Sequence, residues 1–386
     1  MAGPAGPFST NKLQNHKPSV LIFFQETDLN NLNIVHVAGT KGKGRTCAFV
    51  NSFLNAHRER KGTPAKIGMY TSPHLTCIRE RIRINSRKIS EEAFAKYTFE
   101  VWGTWSSRVS RAGAEVGELP RYLQFLALLA MHIFIKEKVD VAVFETHHGG
   151  EYDATNIFRK PIASGVTTID LDHVEQLGPT IEDVAWHKAG IFKSGIPAFS
   201  SPQRPEVAEV LQRRAAEKGV VLKFIQEDPR LPANAAALKP GVQRINSSLS
   251  LALTDCYLEH SVPKQRDRLA QIDVNRGIEN FFWRGRFQHI VDGNYHWYLD
   301  GAHNELSVEK AGQWFVKVST ETQGYVRTPS TKTSCWLIFQ DRTPSDTQSD
   351  LQPRFSPRWS RAPDQPNGKP SGGWAAAYPE RYFHNL

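Results

Sequence analysis

Short apolar runs bounded by glycine, proline and polar residues alternate with longer segments of helical period along most of the chain. Residues 33–37 (NIVHV), 66–70 (KIGMY), 139–144 (VDVAVF), 163–169 (ASGVTTI) and 196–200 (IPAFS) read as strands. Strands alternating with helices predict an α/β fold with a largely parallel sheet. Segment 121–136 (RYLQFLALLAMHIFIK) is apolar on most faces, as expected of a helix packed between the sheet and another layer. Around 264–276 the pattern turns polar and charged, and an aromatic, β-rich block starts at Phe281. A boundary is therefore expected near Phe282. Beyond the apolar run 335–339 the periodicity lapses, and 341–386 carry seven prolines with many Ser, Asp and Arg, a composition expected to stay disordered. Three regions result: 1–282, 283–340 and 341–386.

At 386 residues the chain is long enough for two or three cores. Its 48 Lys and Arg exceed 39 Asp and Glu, giving a formal charge of +9, but the two signs are interspersed. No nucleic-acid partner is expected from such a pattern, whereas small polyanionic substrates suit it. The four cysteines, Cys47, Cys77, Cys256 and Cys335, are far apart and form no CxxC pair, which points to a reducing compartment. The start, MAGPAGPFST, has neither the apolar stretch of a secretory signal nor the Arg-rich amphipathic character of a transit peptide. No run approaches the roughly 18 apolar residues of a membrane span. The expectation is a cytoplasmic monomer, with a mitochondrial form left open.

The chemistry starts at IVHVAGTKGKGRT, residues 34–46: a strand, a glycine-rich turn with lysine, then a helix starting near Gly44. Gly39, Gly42 and Gly44 let backbone N–H groups approach phosphate oxygens, and the helix N-terminus adds partial positive charge. Lys43 would neutralise the β and γ phosphates. Gly39 lies three residues before Gly42, so the spacing is the shorter GTxGK form rather than GxxxxGK[ST]. Glu145 ends a hydrophobic run at the carboxyl edge of the expected parallel sheet, where α/β proteins bind ligands.

Four further segments accompany this loop in order: YTSPHL with RERIRIN (70–85), GGEYDATN (149–156), the stretch 170–193, and WRGRFQ followed by LDGAHN (283–304). Together they resemble folylpolyglutamate synthases, of the Mur ligase superfamily, from about Asn33 to Trp314. The resemblance implies a P-loop ATPase domain followed by a smaller Rossmann-like domain, with ATP in the cleft. It implies transfer of phosphoryl from ATP to the γ-carboxylate of a reduced folate polyglutamate, then attack of L-glutamate's amine on the acyl phosphate. The matching nucleotide positions are Gly39, Thr40, Lys41, Gly42, Lys43, Gly44, Gln243, Asn246, Arg286, Asp300 and His303. Around Mg2+, of which the resemblance implies up to two ions, the matching positions are Ser72, Glu145, His173 and Lys188. Lys188 matches a lysine carried as a carbamate. Lys43, Glu145, His173 and Lys188 are the implied catalytic group. Read without the resemblance, Ser72 and Asn246 fit helix or turn caps, His173 a loop residue and Lys188 a solvated surface lysine.

The sequence departs from the family's pattern at several points. Arg45 stands where the family has serine, and its long cation is expected to crowd the metal rather than pair with phosphate. His147 and His148 replace small and apolar residues and read as loop residues without metal-ligand spacing. Resemblance stops near Gln340, so the second domain is expected to be incomplete and the chain, as it stands, a weak or inactive ligase. Dihydrofolate synthase, with the same chemistry on dihydropteroate, is the rival enzyme. A non-catalytic product that still holds nucleotide or folate is the rival of another class. A P-loop kinase or NTPase is opposed by the WRGR and DGAHN segments.

Overall fold

The computed structural model describes residues 23–112, 120–261, 268–293, 295–302, 305–323 and 332–337. In chain order the principal elements are β1 (Ile34–Ala38), α1 (Lys43–Lys61), β2 (Ile67–Tyr70), β3 (Ile82–Ile84), β4 (Arg87–Lys88), α2 (Glu91–Ala112), α3 (Tyr122–Lys136), β5 (Val141–Glu145) and β6 (Ala163–Val166). They continue with α4 (Ile181–Lys188), β7 (Ala198–Ser200), α5 (Pro205–Glu217), β8 (Leu222–Phe224), α6 (Gly241–Ser261), α7 (Gln271–Glu279), β9 (Gln288–Asp292), β10 (Tyr295–Asp300), α8 (Glu305–Gln323) and β11 (Lys332–Leu337). The main sheet runs β4-β3-β2-β5-β1-β6-β7-β8. From β2 to β8 all neighbours are parallel, and β3 and β4 add an antiparallel edge. A second sheet, β11-β10-β9, pairs β10 parallel to β11 and antiparallel to β9.

The central strands are buried along their whole length, the pattern of a parallel sheet covered on both faces. On one face lies the cluster of α2 and α3, with Trp105, Met131 and Phe134 packed on Ile34, Tyr70 and Phe144. On the other lie α1, α6 and α7, with Phe49, Phe53, Leu253 and Ile278 packed on Val35, Met69 and Val143. A third cluster joins Ala38 and Val166 to α4 and α5 through Val184, Phe192 and Leu211. Each expected strand is present, with its ends moved. The run 163–169 stops at Val166, because Thr167, Thr168 and Asp170 turn their backbones onto the glycine-rich loop. The expected helix 121–136 is α3, with Arg121 as its N-cap.

The polar stretch placed around 264–276 is partly helical. Residues 262–267 lie outside the described residues, but α7 docks on α1, with Val274 and Ile278 buried and Arg60 Nε donating to Asp273 Oδ1 at 2.6 Å. Residues 338–340 and 341–386, where the disordered tail was expected, also lie outside.

Phe134 fixes the helical layer to the sheet: it is fully buried, and its ring sits 3.0 Å from where a Cβ on Gly68 of β2 would stand. Phe134→Ala is expected to cost about 3–5 kcal/mol, from lost transfer energy and the cavity left behind. A urea midpoint unchanged from the parent protein would refute this packing.

Candidate functional site: a phosphate loop at the carboxyl edge of the sheet

The loop leaves β1 under two steric constraints. Gly39 has φ +143°, and a Cβ there would lie 1.9 Å from Thr167 Oγ1. Gly42, the N-cap of α1, has φ +93°, and its Cβ would meet Asn246 Oδ1 at 2.6 Å. Only glycine suits either position. Between them the Thr40 and Lys41 N–H groups donate to Thr168 O at 3.0 and 3.2 Å, and Thr40 Oγ1 donates to Asp170 O at 2.9 Å. Helix α1 then starts at Lys43 with no capping side chain. Its first-turn N–H groups are thus free for an anionic ligand.

Glu145, at the end of β5, faces this helix start: its Oε2 lies 3.2 Å from the Cβ position of Gly44 and accepts the Ser72 N–H at 2.9 Å. Burial raises the Glu145 carboxyl above its ordinary range, opposed by the charge of Lys43 and the Ser72 hydrogen bond. The loop that carries Ser72 is gathered by Glu80, whose carboxylate accepts the N–H groups of Leu75, Thr76 and Cys77 and the Thr76 hydroxyl. Burial would raise the Glu80 carboxyl, but these bonds outweigh it and bring it to about 2. Arg81, also buried, donates from Nε to His74 Nδ1 at 2.9 Å.

Lys188 is only 1% exposed, so it is no surface lysine. Its Nζ donates to Gly39 O at 2.8 Å and to His148 O at 3.0 Å, which ties α4 to the base of the phosphate loop. Burial, reinforced by the Lys43 charge, holds its basicity well below normal. His173 caps the short helix Val174–Leu177 with φ +51°, and its ring stacks on His148 at 4.3 Å. Beside it, Asp172 pairs with Lys41 at 3.5 Å. Ser72 and Glu145 are therefore joined directly, and Lys188 and His173 are joined through His148. Among the described residues no group of three or more His, Cys, Asp or Glu side chains is arranged to hold a metal ion.

From the other side, α6 presents Gln243 and Asn246, both buried, with Asn246 Nδ2 3.4 Å from Gln243 Oε1. At the start of the second sheet, Arg286 packs so closely on Gly301 that a Cβ there would come within 2.4 Å of Nη1. Asp300, ending β10, accepts the Phe287 N–H at 2.7 Å. His303 lies outside the described residues. Arg45 does not extend into solvent: its guanidinium lies 4.2 Å over the Phe287 ring.

Both histidines lie in the loop after β5, as read, but His147 is tied into the interior. His147 is buried and its Nε2 shares a 2.7 Å hydrogen bond with Tyr70 Oη, while its ring faces Asp153 at 3.5 Å. Asp153 Oδ2 accepts the N–H groups of both His147 and His148, and Asp153 Oδ1 accepts the Thr155 hydroxyl, which meets His36 Nε2 at 2.9 Å. Burial lowers His147 to about 4, opposed by Asp153 and reinforced by His148, Arg81 and Lys43. Nothing local in HHGGEYDATN announces this chain of contacts, because Tyr70 and His36 come from other strands.

An α/β fold with a mostly parallel sheet and a glycine-rich loop at its carboxyl edge is the fold shared with solved folylpolyglutamate synthase structures. The chain is similar to curated folylpolyglutamate synthases. That of Neurospora crassa is 47% identical over 302 residues, covering 77% of this chain and 57% of its own length. The chain thus spans a little over half the length of the curated relatives it matches. The Mycobacterium tuberculosis folylpolyglutamate synthase complexed with ADP and AMPPCP shares the fold at TM-score 0.65 and 22% identity, over 79% of this chain and 70% of its own. A solved FPGS-AMPPCP-folate complex aligns at TM-score 0.63 and 24% identity, over 85% of this chain and 78% of its own. No family model matches the chain.

The buried histidine carries a pH signature. With His147 at about 4 in the folded chain and an ordinary 6.5 when unfolded, the unfolded state takes up the proton first as pH falls. Stability is then lost as pH falls from about 6.5 to about 4. His147→Gln keeps a partner for Tyr70 and is expected to flatten this slope by up to about 1.4 kcal/mol per pH unit, with His36 still titrating. Urea midpoints measured between pH 7 and 4.5 check it, and parallel slopes for both proteins would contradict the assignment.

Proposed function

We propose that the chain holds ATP on its phosphate loop and takes part in folylpolyglutamate synthase chemistry, the addition of L-glutamate to the γ-carboxylate of a reduced folate. The observation that carries this is the placement of Lys43, Glu145 and Ser72 on one loop-helix junction at the carboxyl edge of the sheet, in a chain 47% identical to a folylpolyglutamate synthase over 302 residues. AMPPCP, bound in these fold relatives, is an ATP analogue whose terminal phosphoryl cannot transfer, and one of them is a complex with both AMPPCP and folate.

In the reaction the folate carboxylate attacks the γ-phosphorus of ATP, the bond to the bridging oxygen breaks, and ADP leaves. The glutamate amine then adds to the acyl phosphate carbon and phosphate departs with the pair of electrons of its C–O bond. Lys43 and the first-turn N–H groups of α1 would stabilise charge on the transferring group, with no rearrangement at the moment of transfer. Arg286, Asp300, Gln243 and Asn246 would hold the nucleotide against the loop.

A carboxylate, a hydroxyl and an imidazole suit Mg2+, which takes hard oxygen ligands and tolerates nitrogen. Ser72, Glu145 and His173 would hold it, and when bound it supplies charge neutralisation at the phosphates. Burial disfavours the charged form of Lys188 and so favours the amine that addition of CO2 requires, with loss of one proton. As a carbamate it would offer oxygen to a second Mg2+.

Glutamate incorporation that depends on ATP and tetrahydrofolate is the direct assay. Incorporation only with dihydropteroate would favour dihydrofolate synthase, ATP retention without incorporation a binding role, and ATP turnover without folate or glutamate an NTPase. Lys43→Ala is expected to lower turnover at least ~10-fold, about 1.4 kcal/mol of transition-state stabilisation. A smaller loss would remove Lys43 from its role. Glu145→Gln keeps the shape but removes the anionic ligand, so the Mg2+ titration should shift to higher concentration, and an unmoved titration would take Glu145 off the metal.

A further inference from the structure

Arg45 is the most incongruous side chain at the loop. It projects from the first turn of a 19-residue helix, yet is only 8% exposed. One face of its guanidinium lies on the Phe287 ring, and its Nε and Nη1 have no hydrogen-bond partner among the described residues. Phe287 is itself fixed, because its N–H is held by Asp300 and its φ is +47°. An arginine taken out of water with unmet donors is unfavourable unless an anion completes it.

The surrounding charges point the same way. Asp300 and Arg286 both act on Arg45, while Lys43 and Arg286 both act on Lys41 and on Glu145. Four cations, Lys41, Lys43, Arg45 and Arg286, thus gather where the helix N-terminus already favours negative charge. Glu145, Asp172 and Asp300 are the nearby acids. Serine at this position would bring a hydroxyl and no cation, so the preference for negative ligands is greater in this chain.

We propose that Arg45 is a phosphate-binding residue: stacked on Phe287, it gives its free Nε–H and Nη1–H groups to a phosphate oxygen of the nucleotide held by the loop. The proposal rests on the nucleotide reading above. It reverses the expectation that Arg45 crowds the metal, because the stacking on Phe287 holds the guanidinium at the turn 283–287. A purely structural pin between α1 and Phe287 is the competing account.

Titration calorimetry with ADP and with adenosine on the full chain separates them. Arg45→Ser is expected to weaken ADP binding by about tenfold, while adenosine, which has no phosphate, changes less than about twofold. Arg45→Lys keeps the charge without the planar fork and should recover part of the ADP affinity. Unchanged ADP affinity in Arg45→Ser, or a parallel loss for adenosine, would overturn the proposal while leaving the nucleotide reading in place. A parent chain that binds neither ligand would defeat the nucleotide reading and this inference together.

Discussion

Where β1 ends, the backbone runs so close to its neighbours that side chains have no room: Gly39 would drive a Cβ into Thr167, and Gly42 into Asn246. This close packing fixes the height of the loop above the sheet, and much of the rest of the site follows from it. Thr167 belongs to the turn after β6, so β6 must end early enough to place it. Asn246 belongs to α6, so the docking of α6 on α1 sets the far wall. Lys188 reaches the Gly39 carbonyl from α4 and closes the base. A loop held from three elements presents its N–H groups in one fixed direction, which is what recognition of a phosphate requires.

Charge burial is the second constraint, and it is met unevenly. Asp153 is fully compensated by backbone N–H groups, a hydroxyl and a histidine, and Glu80 by the loop it gathers. Burial pushes Glu145 up and Lys188 down, each away from its charged form. Arg45 keeps donors without partners among the described residues.

Alternating apolar runs were enough to foresee the parallel sheet, because central strands buried on both faces leave an uninterrupted signal in VDVAVF and NIVHV. The loop was legible for a related reason, since glycines at 39 and 42 are forced by contacts that no other residue permits. Glu145 could be placed at the strand's carboxyl end from sequence alone. Lys188 could not: nothing in AWHKAGIFK reveals that its ammonium turns inward to meet carbonyls from residues 39 and 148. The chain from Tyr70 through His147 and Asp153 to His36 was invisible because it is assembled across two strands and a loop. Helix α7 was hidden by its short length and charged surface, although Val274 and Ile278 carry the four-residue spacing of a buried stripe.

The central claim is that the backbone between Gly39 and Thr46 is a phosphate site. Hydrogen–deuterium exchange of the full chain with and without AMPPCP and Mg2+ tests it without relying on turnover. Slower exchange confined to the amides from Gly42 to Arg45, with weaker protection near Ser72 and Arg286, is the expected result. Exchange at those amides that is the same with and without AMPPCP, at concentrations where the ligand demonstrably binds, would contradict it.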